Sequence, residues 1–290
     1  MVNRNTNNQI LVPTDFSEIA RIAVGHAAKV AKADGNEITL IYVVEEGLMG
    51  GFFSKNQSAI MKDAIETKLA ARAEEVSKEF GIKVHHRVET GKVYKKIAEI
   101  ANNEAYDSII MGSHGASGLE QIVGSNASRT LQYAEVPVVV VKGMSISEKG
   151  YQKIVMPFDL TIESRQKLNW GIDIAKRFGS EIHIVYSDSS DEYLDRKMKN
   201  NIAMIRGAME KNKVKHVMYE FKDGVFDNFA NEVHNYAKII DGDLIVAMTH
   251  QEKGLGELII GTMTQQLVNK AEKVAVMCIP PTETGFNYDY

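Results

Sequence analysis

Two glycine-bearing segments and one aspartate have the types and spacing that could do chemistry. Met111-Gly-Ser-His-Gly115, continued by Ala-Ser-Gly118, follows an apolar run directly. Glycine permits positive φ and lets the backbone approach a ligand closely. Gly124-Ser125-Asn126 opens a helical pattern. Free N–H groups at a helix start, together with the helix dipole, favour a phosphate. The two segments can thus hold phosphates between a glycine loop and a helix N-terminus. Asp15 follows another apolar run, and two readings of it stand. Its carboxylate accepts from an amino or hydroxyl group of a ligand, or it accepts backbone N–H bonds in the turn ahead of a helix. No lysine or arginine falls in these segments before Arg129. A nucleotide's charge would have to be met by backbone N–H groups, by Ser125, and by Mg²⁺ where present. There is no Gly-x-x-x-x-Gly-Lys-[Ser/Thr] pattern, no nameable water-positioning acid and no arginine finger, so no catalytic residue is assigned.

Other reactive types read as structural. His114 and His250 hold matching loop positions and are expected to hydrogen-bond locally. His85-His86 lies in a strand, where neighbours face opposite sides and do not easily share one metal. Cys278 sits in an apolar terminal run and reads as a buried small hydrophobe. Tyr42 and Tyr186 read as sheet packing. Glu45-Glu-Gly-Leu-Met-Gly-Gly-Phe-Phe-Ser54 reads either as a lid or contact surface, or as a loop folding its aromatics back.

These segments need a scaffold, and the chain repeats one. Its 290 residues correspond to about two domains. Ile10-Leu-Val-Pro-Thr-Asp-Phe-Ser17 returns as Ile154-Val-Met-Pro-Phe-Asp-Leu-Thr161, an offset of 144 residues. Ile38–Val44 returns as Ile182–Asp188, Ser108–His114 as Asp243–His250, and Gly124-Ser125 as Gly261-Thr262. Four matches in one order mean a duplicated domain. Val136–Lys142 closes the first copy, and Gly143–Gln152 is a polar, Gly/Ser-bearing linker, which gives domains 1–143 and 152–290.

Continuous apolar runs read as strands buried on both faces. In the first copy these are Gln9–Val12, Glu37–Val43, Val84–Val88, Ser108–Met111 and Val136–Val141. Helical spacing follows Ser17 as N-cap to Ala33, then recurs at Gln57–Phe80, Val93–Asn103 and Ser125–Tyr133. The second copy repeats this order, with helices at Ser164–Arg177, Tyr193–Lys211, Asp227–Lys238 and Thr262–Lys270. The expected fold is α/β: two repeated domains, each an open, mostly parallel five-stranded sheet with helices on both faces. Ligands bind such sheets at the carboxyl ends of the strands, where the strand order reverses.

With 44% hydrophobic and 25% charged residues and a net charge of −4, the chain is too apolar for disorder and insufficiently basic for a nucleic-acid binder. No apolar stretch is long enough for a membrane span. Met1–Gln9 has no apolar signal core, and one cysteine forms no internal disulfide, so a cytoplasmic protein is expected.

The first copy resembles a universal stress protein domain, and the whole chain resembles the tandem form. The apolar-Val-Pro-x-Asp-x-Ser start and the Gly-x-x-Gly…Gly-Ser segment carry the likeness, over about residues 8–142 and 152–281. It implies a nucleotide-binding sheet of the adenine nucleotide alpha hydrolase-like type, with ATP or AMP bound by some members. By the same likeness, Pro13, Asp15 and Val43 would surround adenine and ribose. Met111, Gly112, Gly115, Gly124, Ser125 and Asn126 would hold ribose and phosphates. The halves would pair through their last strands, and a homodimer is compatible with it.

Two departures stand out. The family has nine residues between its second and third glycines; here Ala116–Val123 is eight. In the second copy the nine are present, but Met248 and Gln251 replace the first two glycines and Ser187 replaces Val43. The second crevice is therefore expected to be degenerate, with Met248 obstructing it. The resulting expectation is a stress-response regulator binding an adenine nucleotide in its first domain. The alternatives are a non-nucleotide interaction module with vestigial crevices and an unidentified protein partner, or a slow ATP hydrolase.

Overall fold

The computed structural model describes residues 6–45, 55–113, 124–143, 146–160, 162–222, 228–251, 258–259, 262–270 and 274–281. The first copy runs β1 (Gln9–Pro13), α1 (Glu18–Asp34), β2 (Glu37–Val44), α2 (Lys55–Phe80), β3 (Val84–Thr90), α3 (Val93–Asn103), β4 (Ser108–Gly112), α4 (Ser125–Tyr133) and β5 (Val138–Val141). The second runs β6 (Lys153–Pro157), α5 (Ile162–Phe178), β7 (Glu181–Ser187), α6 (Glu192–Lys211), β8 (Lys215–Phe221), α7 (Phe229–Ile239), β9 (Leu244–Met248), β10 (His250–Gln251), β11 (Leu258–Ile259), α8 (Thr262–Asn269) and β12 (Ala275–Ile279).

The apolar runs do form strands. Ser17 caps α1 as its spacing predicts, its hydroxyl accepting from the Ala20 amide. Within each copy all five strands are parallel, in the order β3-β2-β1-β4-β5 and its counterpart β8-β7-β6-β9-β12. The two sheets fuse into one of ten strands, because β5 and β12 pair antiparallel with Val138 opposite Cys278 and Val140 opposite Val276. This is the pairing through last strands that was expected. Its cause is visible in the residues: β5 and β12 are buried along their whole lengths, and an apolar edge left open would recruit another chain. Helices α1, α2, α5 and α6 cover one face, and α3, α4, α7 and α8 the other.

Several features were not anticipated. A short antiparallel ladder, β10–β11, pairs His250 with Ile259. The linker is more than polar: Ile146 and Tyr151 are buried. Lys29 of α1 donates to the Ile146 carbonyl at 3.0 Å, and His26 of α1 bonds the Tyr151 hydroxyl at 3.0 Å. Arg177 of α5 reaches back to Asp34, to Asp107 at 3.4 Å and to Asp173 at 2.9 Å, joining the two copies across their seam. Cys278 is buried as read, and burial pushes its thiol up to about 12. His85 and His86 point to different carboxylates, Glu37 at 2.7 Å and Glu66 at 3.2 Å. Among the described residues, no group of three or more His, Cys, Asp or Glu could hold a metal ion, and no helix is long and apolar enough to cross a membrane. Residues 46–54 and 282–290 lie outside the described residues.

Candidate functional site

Strand order reverses between β1 and β4, so the crevice of the first copy opens at their carboxyl ends. Pro13 ends β1 opposite Ile41, and the Thr14 amide donates to the Ile41 carbonyl at 2.9 Å. Beyond it the turn is built by side chains. Thr14 Oγ1 accepts from the Phe16 amide at 3.2 Å, and Asp15 Oδ1 from the Ser17 amide at 3.0 Å. The turn reading of Asp15 therefore holds for that oxygen, while the residue stays exposed at the crevice. Val43, two residues past Ile41, is half-buried and packs against the core layer on the α3 side.

Sequence reasoning missed the residue between Asp15 and Ser17. Phe16 has φ +64°, a left-handed backbone that a bulky side chain rarely adopts. Such a position costs on the order of 1–3 kcal/mol and persists only where the surroundings enforce it. Here its ring stacks on Tyr42, with centroids 5.3 Å apart, and the Lys68 ammonium lies 4.1 Å from the ring centroid. Burial, and secondarily the Asp15 carboxylate, raise the Tyr42 hydroxyl pKa. Nothing in the local sequence marks this turn, since glycine is the usual signal for such a φ.

The phosphate-side segments meet through hydrogen bonds. Met111 is buried in β4, and Gly112 ends it. A Cβ on Gly112 would stand 2.5 Å from Ile19 Cγ2, so its smallness is demanded by α1. The Ser113 amide donates to the Val141 carbonyl at 2.9 Å, and the Gly124 amide to the Ser113 carbonyl at 2.7 Å. These bonds hold the start of α4 against the end of β4. Gly124 is the N-cap and offers no side-chain cap. The first turn, Ser125, Asn126 and Ala127, contains no acidic residue and leaves its N–H groups without helical acceptors. Ser125 is exposed, and the Asn126 carbonyl accepts from Thr130 Oγ1 at 2.8 Å. One turn on, the Arg129 guanidinium stacks 5.1 Å from the Tyr94 ring. Eight of the nine residues named from the sequence thus lie at one end of the sheet. The ninth, Gly115, lies outside the described residues, as does His114.

The second copy differs in a way the sequence misjudged. Met248 does not obstruct the crevice. Its side chain is 3% exposed and packs in the same core layer as α5, because strand alternation turns this position away, as it turns Gly112 toward α1. Its carbonyl accepts from Thr264 Oγ1 at 2.7 Å. Gln251 pairs with Leu258 instead of forming an open loop. Asp159 keeps the place of Asp15, but the residue before it is Phe158, whose ring lies 4.8 Å from the ammonium of Lys167. Lys167 is 1% exposed, and burial pulls its pKa down to about 8 although Asp159 pushes the other way.

The universal stress protein family model matches residues 6–142 and again 150–280. Universal stress protein MJ0577 of Methanocaldococcus jannaschii is 34% identical over 152 residues, covering 46% of this chain and 94% of that protein. Universal stress protein MJ0531 of the same organism is 31% identical over 142 residues, covering 48% of this chain and 84% of its own. A universal stress protein from Archaeoglobus fulgidus DSM 4304 shares the fold over both halves, with a TM-score of 0.78 at 18% identity, covering 94% of this chain and 98% of that one. With both copies matched and the tandem arrangement seen in one continuous sheet, the chain belongs to the universal stress protein family in its two-domain form.

Proposed function

We propose that this tandem universal stress protein binds an adenine nucleotide, ATP or AMP, in its first domain, as a regulatory ligand and not as a substrate. The observation that carries this reading is the start of α4: an uncapped helix N-terminus free of acid, held against the end of β4 at the strand-order reversal. An anion there accepts from the Ser125, Asn126 and Ala127 amides and from the Ser125 hydroxyl, and the helix dipole favours it. Arg129 adds one positive charge a turn away. Asp15 accepts from a ribose hydroxyl or the adenine amino group, and Pro13 and Val43 supply apolar walls. Mg²⁺, where present, rides on the phosphates in this reading.

The test is calorimetric titration with ATP, ADP and AMP. Saturable binding is expected for the wild type, lost in Gly124→Trp and kept in Gly261→Trp. No heat with any of the three nucleotides would leave the interaction module as the better reading.

A further inference from the structure

The second crevice is not merely a degraded copy of the first. Phe158, Leu160, Leu194, Met198 and Phe229 wall a cavity of about 140 Å³ at the carboxyl ends of β6 and β7. Three of these walls replace smaller or differently turned residues of the first copy. Phe158 stands for Thr14. Leu160 stands for Phe16 but is not among the described residues with positive φ, so the turn points it elsewhere. Phe229 opens α7 where Val93 opens α3. The polar groups at the cavity are few: the Asp159 carboxylate and the hydroxyls of Ser187 and Ser189. Ser189 already accepts from the Asp191 amide, and Ser187 donates to the Asp188 carbonyl at 3.2 Å.

Size and charge select the ligand. Sites for drug-sized ligands measure roughly 300–1,000 Å³, so this cavity suits a molecule of one ring better than a nucleotide. An apolar cavity of about 150 Å³ is known to admit benzene. Asp159 lines the cavity, and the Lys167 ammonium, buried against the Phe158 ring, feels its charge. An anionic ligand would be repelled by the Asp159 carboxylate, and a cationic one would shed its hydration in a largely apolar cavity beside a carboxylate that Lys167 already offsets, while an uncharged one meets neither penalty.

We infer that the second domain holds a binding site for an uncharged, compact, largely apolar molecule bearing one hydroxyl, of the size of a phenol, with the hydroxyl donating to Asp159. This does not depend on nucleotide binding in the first domain.

The probe is 4-fluorophenol followed by fluorine NMR on the full chain. Saturable binding is expected, undisturbed by millimolar ATP or AMP. Ser187→Leu, which places an isobutyl group in the cavity, should weaken it at least tenfold. Leu194→Trp, at the more exposed rim, should do the same and guards against a folding defect at the buried serine. Benzoate and benzylamine, of similar size but charged, should bind at least tenfold more weakly than benzyl alcohol. Absence of saturation, equal binding by both variants, equal binding of the charged analogues, or displacement by ATP would each overturn the inference. The calorimetric nucleotide titration stands or falls separately, since Gly124→Trp should leave 4-fluorophenol binding unchanged.

Discussion

Replacing Lys167 by methionine is expected to stabilise the protein at neutral pH and to lose that advantage in alkali. The ammonium is 1% exposed, and burial lowers its pKa from the ordinary 10.5 to about 8. That difference corresponds to about 3 kcal/mol of disfavour for the charged form in the folded protein. Methionine keeps an unbranched stem against Phe158 and removes the charge. The attraction of Asp159 is already contained in that lowered pKa, so the net gain at pH 7 is about 3 kcal/mol. Between pH 8 and 10.5 the unfolded lysine keeps its proton while the folded one has lost it, so wild-type stability rises with pH in that window. The difference between variant and wild type should therefore shrink by about 3 kcal/mol between pH 7 and 10.5. Urea unfolding of both proteins at pH 7, 8, 9 and 10 measures it, and the titrations common to both cancel in the difference. A difference that stays constant from pH 7 to 10, or a variant less stable than wild type at pH 7, would refute the buried charge.

Two further substitutions test the scaffold. Gly112→Ala places a methyl 2.5 Å from Ile19 Cγ2 and 3.3 Å from the Ile19 backbone, so α1 must shift. The expected loss is about 1–3 kcal/mol in urea unfolding, and an unchanged midpoint would mean that α1 yields freely. Arg177→Met leaves Asp34 and Asp107 of the first domain without the guanidinium that bridges them to the second. Since the side chain is 25% exposed, a loss of about 1–2 kcal/mol is expected, smaller at 1 M NaCl; a loss insensitive to salt would point to packing instead.

The duplication and the strands were legible because parallel strands buried on both faces read as continuous apolar runs, as in Ser108–Met111 and Val138–Val141. The crevice was legible for the same reason: the strand order fixes which loops meet. What escaped the sequence depends on partners distant along the chain. Gly112 carries a packing constraint from Ile19, nearly a hundred residues earlier, that no local pattern shows. Met248 looked like an obstruction until strand alternation placed it in the core. Tyr151 sat in an apparently polar linker, because its partner His26 lies on α1. Lys167 falls within the expected helix Ser164–Arg177, and only the packing of Phe158 against it reveals a buried ammonium. Phe16 carries a left-handed backbone with no glycine to announce it.

The nucleotide site proposed here is single and lies in the first domain, at the start of α4. Calorimetric titration of ATP into wild type, Gly124→Trp and Gly261→Trp distinguishes it from a site in the second domain. One site per chain is expected, abolished by Gly124→Trp and unaffected by Gly261→Trp. Two sites per chain, or binding that survives Gly124→Trp and is lost in Gly261→Trp, would contradict it.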